Sequence, residues 1–249
     1  MVTRLLPVLI ALTLLAGCDS ASRPKVDEDQ VYQDYLALGA AYMRAGEYQR
    51  AKTNLNRAQE LEPRSPQVHG LFGLLFQLEG ETGLAEDHFR QALRYYPDST
   101  RTRNNFGAFL FDEGRYAEAV EHLETAADDL YSAGRSQVFE NLGVSYLHLD
   151  RADEASRAFE RAIDLNPSQP RALIELADIR FGNRNCVGAR ELFSRFLQGS
   201  DQTSRSLWLG IRLARIFGES DQEASYGLML RNIFPASDEY AQYRETAGE

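Results

Sequence analysis

The chain has 249 residues, an apolar fraction of 43%, a charged fraction of 26% and a formal net charge of −10. That much apolar material builds a sizeable core and excludes wholesale disorder. An acidic chain repels phosphate backbones and anionic headgroups, which argues against nucleic acid as a ligand and against attachment to a membrane by charge.

Residues Met1–Cys18 read MVTRLLPVLIALTLLAGC. Arg4 supplies a positive start. Leu5–Ala16 is a short apolar run, below the roughly 20 residues of a membrane-spanning helix and matched to the apolar stretch of a secretory signal. Leu15-Ala16-Gly17-Cys18 resembles a bacterial lipobox. The resemblance implies removal of a signal peptide over 1–17 and a lipid on Cys18, since only the cysteine thiol takes the diacylglycerol. A membrane attachment through that N-terminal lipid follows. Each buried methylene contributes about 0.8 kcal/mol, and stable anchoring takes two chains, so lipid would hold an acidic protein where charge would not. Asp19 resembles an inner-membrane retention signal of enteric bacteria and leaves the choice between inner and outer membrane open. Residues 18–30, with Pro24 and the run Asp27-Glu28-Asp29, read as a lipidated flexible tether.

An internal repeat follows. GAAYMRAGEYQRAKTNLNRAQELEP at Gly39–Pro63 returns at Gly73–Pro97, Gly107–Tyr131 and Gly143–Pro167. The first three glycines are 34 residues apart and the next step is 36, which places an insertion near Ser132–Arg135. Ala51, Ala85, Ala119, Ala155, Ala189 and Ala224 recur, each followed four residues on by Leu55, Phe89, Leu123, Phe159, Phe193 and Leu228. Apolar positions recur at three and four, not at two, so the spacing predicts helices and no strands. Gly39, Gly73, Gly107 and Gly143 allow close helix approach. Tyr42, Phe76, Leu110 and Tyr146 lie three residues later on the same face. Gly46, Gly80 and Gly114 mark turns, and Pro63, Pro97 and Pro167 stop the second helix of each unit.

These copies resemble the tetratricopeptide repeat, a helix-turn-helix unit of 34 residues. The resemblance implies an all-α fold, a right-handed superhelical solenoid of about six repeats at 32–65, 66–99, 100–133, 136–169, 170–203 and 205–238. The array occupies 31–240, with a C-terminal tail over 241–249. The last two units diverge. Arg171–Gln202 puts Phe196 where alanine stood, and Ser206–Ser237 puts Arg212 where glycine stood, as expected of units that cap a stack.

Such arrays bind ligands on the concave face of their first helices. Counting from Tyr32, the family register implies that the second, fifth, ninth and twelfth residues of each unit face the groove. These are Gln33, Leu36, Ala40 and Met43; Gln67, Gly70, Leu74 and Gln77; Arg101, Asn104, Ala108 and Phe111; and Gln137, Glu140, Val144 and Leu147. The candidate protein-binding residues are Leu36, Ala40, Met43, Leu74, Asn104, Phe111 and Leu147, an apolar set suited to a helix or extended peptide. The competing reading is that they pack against neighbouring units.

Catalytic and metal signatures are not found. His69, His88, His122 and His148 stand in no HExxH and near no cysteine at ligand spacing, and no phosphate-binding glycine loop or GxSxG occurs. The chain therefore reads as a binding protein and not an enzyme, with no cofactor and no small-molecule substrate. Cys186 reads as a small core hydrophobe.

The C-terminal unit carries Ser206-Leu207-Trp208-Leu209-Gly210-Ile211-Arg212-Leu213-Ala214-Arg215, then Gly218, Asp221, Glu223-Ala224-Ser225-Tyr226, Leu230-Arg231 and Phe234-Pro235. Together with the lipobox and six units, it resembles the type IV pilus biogenesis lipoproteins of the PilF/PilW pilotin family across nearly the whole chain. The resemblance implies binding of secretin subunits, promotion of secretin localisation and multimerisation, and a lipid-anchored place on the periplasmic side of the outer membrane. The alternative is a lipoprotein scaffold that recruits peptidoglycan hydrolases or synthases.

Overall fold

The structure, a computed structural model, describes residues 27–247. The signal segment 1–17, Cys18 and Asp19 lie outside the described residues. Thirteen helices and no strand occur among those described. They follow one another as hairpins: α1 (Glu28–Arg44) with α2 (Tyr48–Leu61), α3 (Pro66–Leu78) with α4 (Thr82–Tyr95), α5 (Thr100–Asp112) with α6 (Tyr116–Ala127), α7 (Arg135–His148) with α8 (Ala152–Leu165), α9 (Pro170–Gly182) with α10 (Cys186–Leu197), and α11 (Ser204–Phe217) with α12 (Ser220–Ile233). A single helix, α13 (Asp238–Ala247), closes the stack against α11 and α12. The first helices α1, α3, α5, α7 and α9 touch in succession and form one layer.

Local chemistry sets the helix ends. The Ser65 hydroxyl accepts from Val68 N at 3.2 Å ahead of Pro66, and Ser99 accepts from Thr102 N at 3.3 Å. Thr203 and Ser206 make a reciprocal cap on α11. Capping side chains of this kind satisfy donors that the first helical turn leaves free. Inside each hairpin one residue turns left-handed: Gly46, Gly80, Gly114 and Gly218 at φ of 73°, 78°, 75° and 70°, but Asp150 and Arg184 at 57° and 60° in the fourth and fifth units. Glycine adopts this conformation without steric cost; an L side chain such as that of Arg184 does not.

Packing explains the small residues of the repeat. A Cβ on Gly73 would come within 2.8 Å of the Phe89 ring, and one on Gly39 within 2.6 Å of Leu55 Cδ2. The large residue sixteen positions on therefore lies against the backbone of the preceding helix. Leu55, Phe89, Leu123 and Phe159 are fully buried there, each flanked by two buried alanines on its own helix.

The structure moves three boundaries. Asp27, Glu28 and Asp29 belong to α1 and not to a tether: the Asp27 carboxylate accepts from Asp29 N and Gln30 N, and the acidic first turn suits the positive end of a helix. The segment 241–249 is no simple tail, since α13 runs through it to Ala247. The last repeat is in a different register from the one its alanine suggests. Ala224 and Leu228 are exposed, whereas Gly227 and Leu230 are buried. Counted from the turn glycine, the residue equivalent to Gly39 is Ile211, not Arg212, and the close small-to-large approach is made one residue earlier, where a Cβ on Gly210 would come within 2.9 Å of the Tyr226 ring. The space at Gly227 admits the phenol of Tyr243 from α13. Cys186 starts α10 and is half-buried.

Candidate peptide-binding groove

The layer of first helices presents a cleft in its N-terminal half. One cavity of about 560 Å³ is bounded by α1, α3 and α5, with Leu36, Ala37, Ala40, Leu71 and Leu74 as its apolar lining and Gln33, Gln67, Arg101 and Asn105 around them. A second, of about 1070 Å³, continues toward the hairpin turns past Met43, Leu78 and Gly80. Both share Ala40, Leu71 and Leu74, so they form one trough across the first three units. Gly70 lies on its floor, where an added Cβ would meet only Thr102 Oγ1 at 3.8 Å.

The sequence-expected residues divide accordingly. Leu36, Ala40, Met43 and Leu74 come together in the trough. Leu36 and Met43 are only 9% and 8% exposed and pack in the first core cluster with Tyr32, Leu55 and Phe72, so they serve as both wall and core. Asn104 lies beyond the trough, its Oδ1 accepting from Asn141 Nδ2 at 3.0 Å and joining the third unit to the fourth. Phe111 packs with Tyr116 and His148, ring centroids 5.3 and 5.0 Å away, and Leu147 packs on the larger core. Glu140, expected in the groove, is 6% exposed and accepts from Ala172 N at 3.3 Å. It caps α9 from the neighbouring hairpin, where Gln169 makes no side-chain cap.

Leu71 was not among the candidate residues. It bounds both cavities, and with Leu74 and Leu78 it forms an i, i+3, i+7 stripe on α3 that the chain displays openly. Leu78 is 53% exposed, large and apolar at the rim.

On the other side of α3 the trough is backed by a histidine pair. His69 Nε2 lies 3.3 Å from the Pro63 carbonyl, which can only accept, so the neutral ring carries its proton on Nε2. Its Nδ1 then accepts from His88 Nδ1–H at 3.1 Å. Burial against Phe72 and Phe76, then the neighbouring His69, lowers the His88 pKa to about 4. Burial lowers that of His69 as well, opposed by the Pro63 carbonyl.

The face changes character toward the C-terminus. The same register positions on α9 and α11 carry Arg171, Ile174, Asp178, Phe181, Arg205, Trp208, Arg212 and Arg215. Arg205 grips Glu175 with two nitrogens, both at 2.8 Å, and reaches Asp178 at 3.0 Å. Arg212 donates to the other oxygen of Asp178 at 2.8 Å. Desolvation opposes the charge of Arg205, but the Glu175 and Asp178 carboxylates more than offset it and its pKa is raised.

An all-α stack of helix hairpins with a trough on its first-helix layer defines the class of the tetratricopeptide-repeat proteins, and the sequence model described as Tetratricopeptide repeat matches residues 25–180. The chain is 37% identical to the type IV pilus assembly protein PilF of Pseudomonas aeruginosa, over 98% of this chain and 99% of that one. Among solved structures it is similar to Pseudomonas aeruginosa PilF, with a TM-score of 0.86, 38% identity and coverage of 88% of this chain and 99% of that one. It is also similar to PilW, described as a widely conserved type IV pilus biogenesis factor, with a TM-score of 0.73, 25% identity and coverage of 86% and 98%. The chain belongs to the PilF/PilW family of type IV pilus assembly proteins, a family of scaffolds and not of enzymes. No helix among the described residues is long and apolar enough to cross a membrane.

Proposed function

We propose that this protein acts as a pilotin: it captures subunits of the outer-membrane secretin and promotes their localisation and assembly into the pore of the type IV pilus. The observation that carries this reading is the apolar trough of Leu36, Ala40, Leu71 and Leu74 in a chain of the pilus assembly family. Its depth and its apolar lining suit a helix or an extended segment laid across the first three units. A lipid on Cys18, at the outer membrane and facing the periplasm, supplies the other half of the mechanism. Confinement to the membrane raises the effective concentration of the groove beside its partner without any new contact.

The test is a deletion strain. It loses surface pili and secretin multimers, and both return with the wild-type gene. Normal secretin multimers without the protein overturn the reading. A Cys18→Ser strain separates anchoring from binding: it makes the protein, fails to label it with lipid and releases it from the membrane fraction.

A further inference from the structure

We infer that the C-terminal half of the groove, on α9 and α11, is a second binding subsite that takes aspartate or glutamate side chains of an extended partner segment. Arginines gather on this face of a chain whose net charge is −10. Their donors outnumber the acceptors offered to them. Arg212 uses Nη2 on Asp178 and its Nε is buried out of a partner's reach, so a partner would meet the Nη edge of a side chain that is 28% exposed. Its guanidinium is plated between Phe181 and Trp208, 4.6 and 5.7 Å from the ring centroids. Arg171 is exposed, lies 5.8 Å from the Phe111 ring and has no carboxylate partner among the described residues.

Asp178 holds the Arg212 guanidinium beside that of Arg205, while Arg171 stands free of any carboxylate among the described residues, near the Phe111 ring. A planar, pre-oriented guanidinium is suited to a carboxylate, and half-buried tryptophan and arginine are residue types that carry binding energy at interfaces. An apolar segment would cover these donors without satisfying them. A phosphate chain would bring repeated charge against Asp178 and Glu175. Acidic side chains spaced along a peptide meet Arg171 and Arg212 singly. The subsite lies on the same first-helix layer as the trough, with α7 between them, so a segment that reaches both would place apolar residues in the first and acidic residues in the second.

This inference rests on reading the concave face as a peptide groove, but not on the identity of the partner. The experiment uses the full chain and fluorescein-labelled peptides of alternating Phe, Ser and Asp, with Asn or Lys in place of Asp as controls and with free or amidated C-termini. Anisotropy is expected to give about tenfold tighter binding for the Asp peptide than for the Asn peptide, the worth of one charge-assisted hydrogen bond. That preference should vanish in Arg171→Gln, an exposed position whose loss breaks no ion pair, and in Arg212→Gln. Equal binding of Asp and Asn peptides overturns the inference, as does a preference that follows only the free C-terminus, or tighter binding of a single-stranded oligonucleotide. Loss of all peptide binding in Leu74→Asp, with the Asp preference absent from the wild type, leaves the groove standing and sinks this subsite alone. Binding untouched by either set of variants sinks the groove as well.

Discussion

The two halves of the concave layer are built from the same repeat and present opposite chemistry. In the first three units the groove positions are Leu36, Ala40, Leu74 and their neighbours around an open trough. In the last two they are Arg171, Arg205, Arg212 and Arg215 interleaved with Ile174, Asp178, Phe181 and Trp208. The hairpin fold depends on the positions that pack between helices and constrains the concave ones less, apart from those such as Leu36, Met43 and Glu140 that also serve the fold. The array is thus a frame on which the sequence can write an apolar subsite and a cationic one in succession.

The sharpest way to break the comparison is to put charge in the trough. The double variant Leu36→Asp with Met43→Asp is expected to lose partner capture, but both residues are core and the fold should suffer too. Leu74→Asp with Leu78→Asp attacks the rim instead. Capture by in-cell crosslinking should fall at least thirtyfold, since anchors of this kind carry about 2 kcal/mol or more, with the circular dichroism of helices retained. Unchanged crosslinking would move the first subsite elsewhere.

The halves also differ in acid sensitivity, because every histidine lies in the second to fourth units. His88 titrates near 6.5 when unfolded and at about 4 when folded. The depressed folded value means that protons favour the unfolded chain. Stability is full above about pH 6.5 and is lost as the pH falls toward 4. The gap corresponds to about 3 kcal/mol at the acid end. Urea melts across that window should show the loss, and His88→Gln should flatten it.

Packing gives a smaller effect. In Gly143→Ala the new methyl meets the buried Phe159 ring, so a cost of about 1–3 kcal/mol is expected. The register-equivalent Ile211→Ala should destabilise by cavity formation instead, because there the large residue stands on the first helix. Thermal melts that ranked Gly143→Ala as neutral would contradict the close approach. Smallest of all, Arg184→Gly relieves a left-handed residue and should stabilise by about 0.5–1 kcal/mol, while Gly46→Arg does the reverse.

Most of the hairpin architecture was legible because its determinants are local and periodic. Gly73 and Phe89 sit sixteen residues apart in the chain and touch, and an equivalent pair recurs in each of the first four repeats. The last unit misled because its determinant is not local. Ala224 matches the period, but Gly227 takes the buried place beneath Tyr243, which belongs to a helix outside the repeat. The groove was half legible. A register rule finds Leu36 and Leu74, yet it skips Leu71 and treats Glu140 as a free surface residue when it caps the next hairpin. The arginine cluster was out of reach for another reason: four arginines along two helices look like a solvated face until Asp178 and Glu175 are seen to hold Arg205 and Arg212 together, with Arg215 on Glu223.

The stacking order has a mechanical consequence. Among the described residues α1 rests chiefly on α2 and α3. Any tension on the chain ahead of Asp27 enters the molecule at α1, the wall that carries Leu36, Ala40 and Met43. A pull from that end therefore loads the wall of the apolar trough first, and the Arg205–Asp178–Arg212 cluster, with three hairpins between, feels it later.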